Sequence, residues 1–128
     1  MHGTALAWLT SYLTNRSQIV RMGSVSSNPS NCSSGVPQGS VLGPILFSLY
    51  ISPIGQIVSD FGLAHQQYAD DSQLYISLKG DNVTDSITRL EACLDNLRTW
   101  LCHNGLCLNP DKSESILFGT RQRLRTFP

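Results

Sequence analysis

The chain has 128 residues, enough for one small domain that can bury roughly two-thirds of its unfolded surface. Its 41% hydrophobic content excludes a disordered chain, while 14% charged residues is low for a self-contained globular surface and suits a piece of something larger. With a formal net charge of zero it lacks the basic surplus by which proteins that hold nucleic acid unaided neutralise phosphates.

In chain order, Thr4 can cap a short helix carrying Leu6, Leu9 and Leu13 with Trp8 and Tyr12, ending near Asn15. Gln18 to Met22 alternates as a strand would, and the Ser- and Asn-rich stretch from Gly23 to Ser34, broken by Pro29, predicts a hairpin or loop. From Val41 to Ile51 the chain is apolar for 11 residues, with Pro44 placed for a first helical turn. A membrane span needs about 20 such residues, so a buried helix over 41 to 58 is expected and no membrane association.

Phe61 to Tyr68 and Gln73 to Leu78 flank Asp70-Asp71 in the pattern strand, tight turn, strand. Ile87, Leu90, Leu94, Leu97 and Leu101 recur at helical spacing, with Trp100 beside them, predicting a long helix over 84 to 104 that Gly105 ends in the left-handed conformation. Leu106 to Leu108 and Ser115 to Phe118 are expected to be short strands around Asn109-Pro110. Together these elements predict an α+β fold: a small antiparallel sheet carrying the acidic hairpin, with the two helices packed on one face.

Cys32, Cys93, Cys102 and Cys107 lack the paired spacing of a zinc site. Met1-His2-Gly3-Thr4 has neither the basic region nor the apolar core of a secretory leader. Reduced thiols and an intracellular location, nucleus or cytoplasm rather than a secreted one, follow as expectations. Arg121, Arg123 and Arg125 form the one basic cluster, in what reads as a solvated tail.

Two adjacent carboxylates at a hairpin tip suit magnesium, a hard cation often held by one or two carboxylates plus substrate phosphates. Successive side chains of a strand point to opposite faces, so Asp70 and Asp71 are expected to act unequally. Asp is also a favoured turn residue for purely conformational reasons, and the pair by itself fits either role. Gly35-Val36-Pro37-Gln38-Gly39-Ser40 ahead of the apolar helix adds a second candidate: flanking glycines let backbone approach a ligand, and Gln offers both donor and acceptor.

Gly-Val-Pro-Gln-Gly-Ser-Val-Leu-Gly-Pro-Ile-Leu-Phe at 35 to 47, Tyr-Ala-Asp-Asp at 68 to 71, residues 100 to 114 and Ile-Leu-Phe-Gly at 116 to 119 closely resemble, in order and spacing, consecutive motifs of non-LTR, LINE-type reverse transcriptases. Trp8 to Leu13 with Arg16 to Val20 resembles the segment that precedes the Gln-Gly loop in these elements, extending the likeness over nearly the whole chain. The resemblance implies a partial palm domain, RNA-directed DNA polymerase activity by two-metal nucleotidyl transfer, and an RNA template, DNA primer and dNTP as partners. It makes Asp70 the chief Mg2+ ligand and Asp71 its companion, sets Tyr68 and Ala69 at the primer end, Gln38 and Gly39 in the nucleotide and template pocket, and Lys112 near the triphosphate.

On this basis residues 1–34 form a lead-in helix and hairpin, 35–119 the palm motif core and 120–128 a basic tail. The family's further carboxylate lies on an earlier strand, whereas Met1 through Ser59 contains no Asp or Glu, and fingers and thumb are absent from the chain. The expectation is a fragment inactive alone, or a retained protein-interaction module that meets another protein through exposed palm surface.

Overall fold

The computed structural model describes residues 2–80 and 82–125, so the end of the basic tail lies outside the described residues. The chain divides into two compact units, Met1–Tyr50 and Ile51–Pro128.

In the first unit, α1 spans Thr4–Leu13, with Gly3 rather than Thr4 in the capping position. Trp8 and Tyr12 stack on its surface with ring centroids 5.7 Å apart. The expected strand over 18–22 is split into β1 (Arg16–Gln18) and β2 (Arg21–Met22), which pair antiparallel with β4 (Ser30–Cys32) and β3 (Val25–Ser26) in two successive two-stranded ribbons. The interruption falls at Val20, whose N–H donates to the Ser27 hydroxyl at 3.0 Å while its carbonyl accepts from the Ser27 N–H at 2.8 Å. A serine side chain there takes over a bond the ladder would otherwise supply.

The helix expected over 41–58 is two helices, α2 (Gly43–Ile51) and α3 (Pro53–Asp60), separated at Ser52. Proline at position 53 cannot donate to a continuing ladder and starts a new helix at its first position. The expectation of a buried helix is corrected for most of α2: Ile45, Leu49 and Tyr50 are exposed and Leu46 and Phe47 half-buried, and among its large side chains only Ile51 at its end is buried. A helix that is apolar all round cannot turn every side chain toward one core.

In the second unit, α3 packs against both β5 (Ala64–Tyr68) and α4 (Val83–His103). The core is Ile51, Ile54 and Val58, then Leu63, then Cys93, Leu97 and Leu101 of α4, with Ser86 buried a turn or two earlier on the same stripe. That stripe is rotated from the expected one, for Leu94 is 42% exposed and Cys93 takes its place inside. Leu63 follows Gly62, which ends α3 with φ 68°. The Leu63 N–H donates to the Val58 carbonyl at 3.3 Å and the Gly62 N–H to that of Ser59 at 2.9 Å, the paired bonds of a glycine-terminated helix. Gly105 ends α4 in the same way, at φ 66°, as its position predicts.

β5 pairs with β6 (Asp71–Tyr75) antiparallel, with His65 opposite Leu74 on the less exposed face. Here the α+β expectation holds, although the described strands form three separate two-stranded ribbons rather than a single sheet. The strands expected at 106–108 and 115–118 are irregular chain without a ladder, flanking a 3-10 turn at Pro110–Lys112. An apolar run becomes a strand only where another strand satisfies its backbone, and among the described residues none pairs with these. A short helix, α5 (Arg121–Arg125), carries the basic cluster. No helix among the described residues is long and apolar enough to cross a membrane.

The four cysteines are unpaired. Burial pushes the Cys93 thiol up from its ordinary value of 9.0. The native state thus holds a proton that the unfolded chain releases. The stability this contributes is fully present below about pH 9 and is lost as the pH rises through the elevated native value. Urea midpoints measured across that range should fall on the alkaline side in the wild-type chain, and fall less steeply in Cys93→Ala.

Candidate functional site

The acidic turn is a two-residue hairpin connection. Tyr68 and Asp71 are the last paired residues of β5 and β6, leaving Ala69 and Asp70 as the central pair. Ala69 has φ 51° and Asp70 is not among the positive-φ residues, the pattern of hairpin turns with the left-handed residue first. Glycine usually fills that position, because a Cβ there costs about 1–3 kcal/mol that the surrounding structure must offset.

Part of that offset is visible. The Gln67 side-chain Nε2 donates to the Ala69 carbonyl at 3.1 Å, tying down the peptide that joins Ala69 to Asp70. Alternation along β5 makes His65 and Gln67 half-buried and leaves Ala64, Gln66 and Tyr68 exposed. His65 reaches toward α3, where a Cβ added to Gly55 would stand 3.7 Å from its Nδ1. The hairpin is therefore seated through one face and open on the other.

Tyr68 is 83% exposed, and Asp71 stands directly across the ribbon from it. Directly opposed side chains of an antiparallel pair have Cβ atoms about 5 Å apart. Asp70 sits at the tip, one residue before the strand resumes. The structure thus brings Tyr68, Ala69, Asp70 and Asp71 into one exposed turn, with the two carboxylates on unequal backbone positions. Among the described residues no cluster of three or more His, Cys, Asp or Glu forms there or elsewhere, so the turn offers two carboxylates to a cation and leaves the remaining positions to water or phosphate.

Lys112 lies on the 3-10 turn of the same unit, exposed. That turn is held by the Asn109 side chain, which accepts from the Asp111 N–H at 3.2 Å, and by the Lys112 N–H donating to the Asn109 carbonyl at 3.2 Å. Gln38 and Gly39 belong to the first unit and are the two central residues of another tight turn. It is closed by the Ser40 N–H donating to the Pro37 carbonyl at 3.2 Å. Gly39 has φ 78°, which a turn of this type requires of its third residue and which glycine adopts without penalty. The Ser40 hydroxyl then accepts from the Gly43 N–H at 3.1 Å, capping the entry to α2, and both Gln38 and Gly39 remain exposed.

Two supporting residues escape sequence reasoning. Gln67 is one; the other is Arg16, whose Nε donates to the Leu13 carbonyl and whose guanidinium also donates to the Ser34 carbonyl, both at 3.1 Å. Arg16 thereby fastens the end of α1 to the residue just before the Gly35 loop. No spacing rule marks either residue, because each acts through a bond whose partner is set by a turn or a ribbon register.

An exposed turn bearing two adjacent carboxylates, carried on a helix-backed ribbon, can offer oxygen ligands to a hard divalent cation, the kind of ion that phosphoryl transfer employs. The chain belongs to the reverse transcriptase (RNA-dependent DNA polymerase) family, which it matches over residues 1–125. It is 32% identical over 117 residues to the probable RNA-directed DNA polymerase from transposon X-element of Drosophila melanogaster, covering 90% of this chain and 13% of that protein. The RNA-directed DNA polymerases from mobile element jockey and, probable by its description, from transposon BS of the same species are 28% and 33% identical, covering 87% and 86% of this chain. The chain spans 12–13% of the length of these relatives. No solved structure matches it.

Proposed function

We propose that the chain supplies the metal-binding turn and the nucleotide-facing loop of a non-LTR retrotransposon reverse transcriptase, and that it does not copy a template by itself. The observation that carries this is the Tyr68 to Asp71 hairpin, a strained two-residue turn presenting Asp70 and Asp71 to solvent in a chain that belongs to the reverse transcriptase family. Asp70 at the tip is the chief ligand for Mg2+ and Asp71 its companion. A divalent cation bound there would offset charge on the dNTP phosphates and favour ionisation of the primer 3′-hydroxyl.

The remaining roles fall to the chain's own residues. Tyr68, exposed beside Asp71, offers an aromatic face to the primer end. Gln38 offers a carboxamide, and the Gly39 position keeps the loop open to close approach by template and nucleotide. Lys112 supplies a point charge for the triphosphate. Four unpaired cysteines suit a reducing compartment, and we place the protein inside the cell.

Two cations about 4 Å apart need more carboxylate than one turn provides, and residues 1–59 contain none. Primer extension with Mg2+, dNTPs and an RNA template should therefore give no product with the purified chain. Template-dependent synthesis that Asp70→Asn abolishes would overturn the claim of inactivity in isolation.

A second reading, a protein-interaction module derived from a retroelement, is favoured by Ile45, Leu49 and Tyr50 lying exposed along α2. It requires a soluble, cooperatively folding chain, and aggregation of the chain without a partner would count against it.

A further inference from the structure

We infer that Gln67 is a positioning residue for the acidic turn: its side-chain amide fixes the peptide that precedes Asp70, and so sets where the two carboxylates meet a cation. The inference rests on the reading of Asp70 and Asp71 as cation ligands. Four observations lead to it. Ala69 occupies a left-handed backbone conformation, φ 51°, that a side chain disfavours. In a two-residue connection the ladder closes at Tyr68 and Asp71, so the Ala69 carbonyl lies outside the register. That carbonyl accepts from Gln67 Nε2 at 3.1 Å. A carbonyl can only accept, so it is the amide nitrogen of Gln67 that faces it. Finally, Gln67 is half-buried on the same face of β5 as His65, while Asp70 and Asp71 stay in solvent.

Freed from this bond, the peptide between Ala69 and Asp70 can rotate toward less strained conformations, and each rotation swings the Asp70 carboxylate relative to Asp71. Gln67 never touches the cation. It narrows the set of turn conformations from which binding starts, as residues behind metal ligands commonly do.

The test titrates Mn2+, a spin probe for the Mg2+ position, into the 128-residue chain and follows line broadening of the Asp70 and Asp71 signals by NMR. Gln67→Met keeps the length of the side chain and removes the donor. It should weaken Mn2+ binding by about 10-fold, the lower end of what loss of such a supporting residue costs. The amides of Ala69 and Asp70 should exchange faster while the unfolding midpoint of the chain stays where it was. Gln66→Met, the same change on the opposite face of β5, should leave the affinity unaltered. Equal affinities for the wild-type chain and Gln67→Met would overturn the inference, as would an equal loss in Gln66→Met or a loss that merely follows a lowered unfolding midpoint. Absence of Mn2+ broadening at Asp70 and Asp71 in the wild-type chain is a different failure: it removes the cation site, and the positioning role with it.

Discussion

Leu97→Ala is expected to lower the unfolding free energy by about 2–5 kcal/mol, measured by urea or thermal denaturation of the chain. Leu97 is buried on α4 within the stripe that runs from Cys93 to Leu101, on the helix that packs against α3. The cost has two parts, the lost transfer of the removed methyl groups and the cavity that a neighbourhood held on two helices cannot fully close. Domains of this size are typically stable by only about 5–15 kcal/mol, so the loss is a large share of the total. Leu94→Ala is the control. Leu94 belongs to the same apolar repeat in sequence but is 42% exposed, and its truncation should cost well under half as much. Equal losses at the two positions would mean that α4 presents a different face to α3.

The second large effect concerns Asp70. Residues 1–125 can be transplanted into the polymerase of the X-element transposon in place of the segment they match, giving the turn the rest of a polymerase to work with. Synthesis by that chimera should fall by ~100-fold or more on Asp70→Asn, since loss of a direct ligand exceeds the 10–100-fold commonly lost with a residue that only supports one. The same substitution in the isolated chain should change stability by no more than about 0.5 kcal/mol, because the tip of the turn is exposed. An unchanged rate in the chimera would remove Asp70 from the chemistry and with it the proposed function of the hairpin. A chimera that synthesises only weakly, but loses what it has on Asp70→Asn, would still support the assignment.

Much of the local architecture is legible in the order of residues. Gly105 signals the end of α4 because a left-handed terminus favours glycine, and it ends α4 with φ 66°. The strand, turn, strand pattern around Asp70 and Asp71 follows from residues that suit a pleated surface on either side of turn formers, and β5 and β6 realise it with Asp71 taken into the strand. The motifs at 35–47, 68–71, 100–114 and 116–119 are local in the same sense, and their order and spacing together carry the resemblance to the family that the chain matches over residues 1–125. Each of these depends on backbone preference within a few residues, which the sequence carries directly.

Other expectations depended on what lies across from a segment, and there the sequence was silent or misleading. Apolar runs at 106–108 and 115–118 have the composition of strands but lack a strand to pair with among the described residues. Leu94 and Cys93 are neighbours on one helix, and only the packing of α4 against α3 decides that the thiol is inside and the leucine half out. The two carboxylates at the tip are written in the sequence as Asp70-Asp71. Their unequal roles follow from strand alternation, whereas the strain at Ala69 and the bond from the Gln67 amide to its carbonyl follow from the register in which β5 and β6 pair, and that register is pinned by the face of the ribbon that packs on α3.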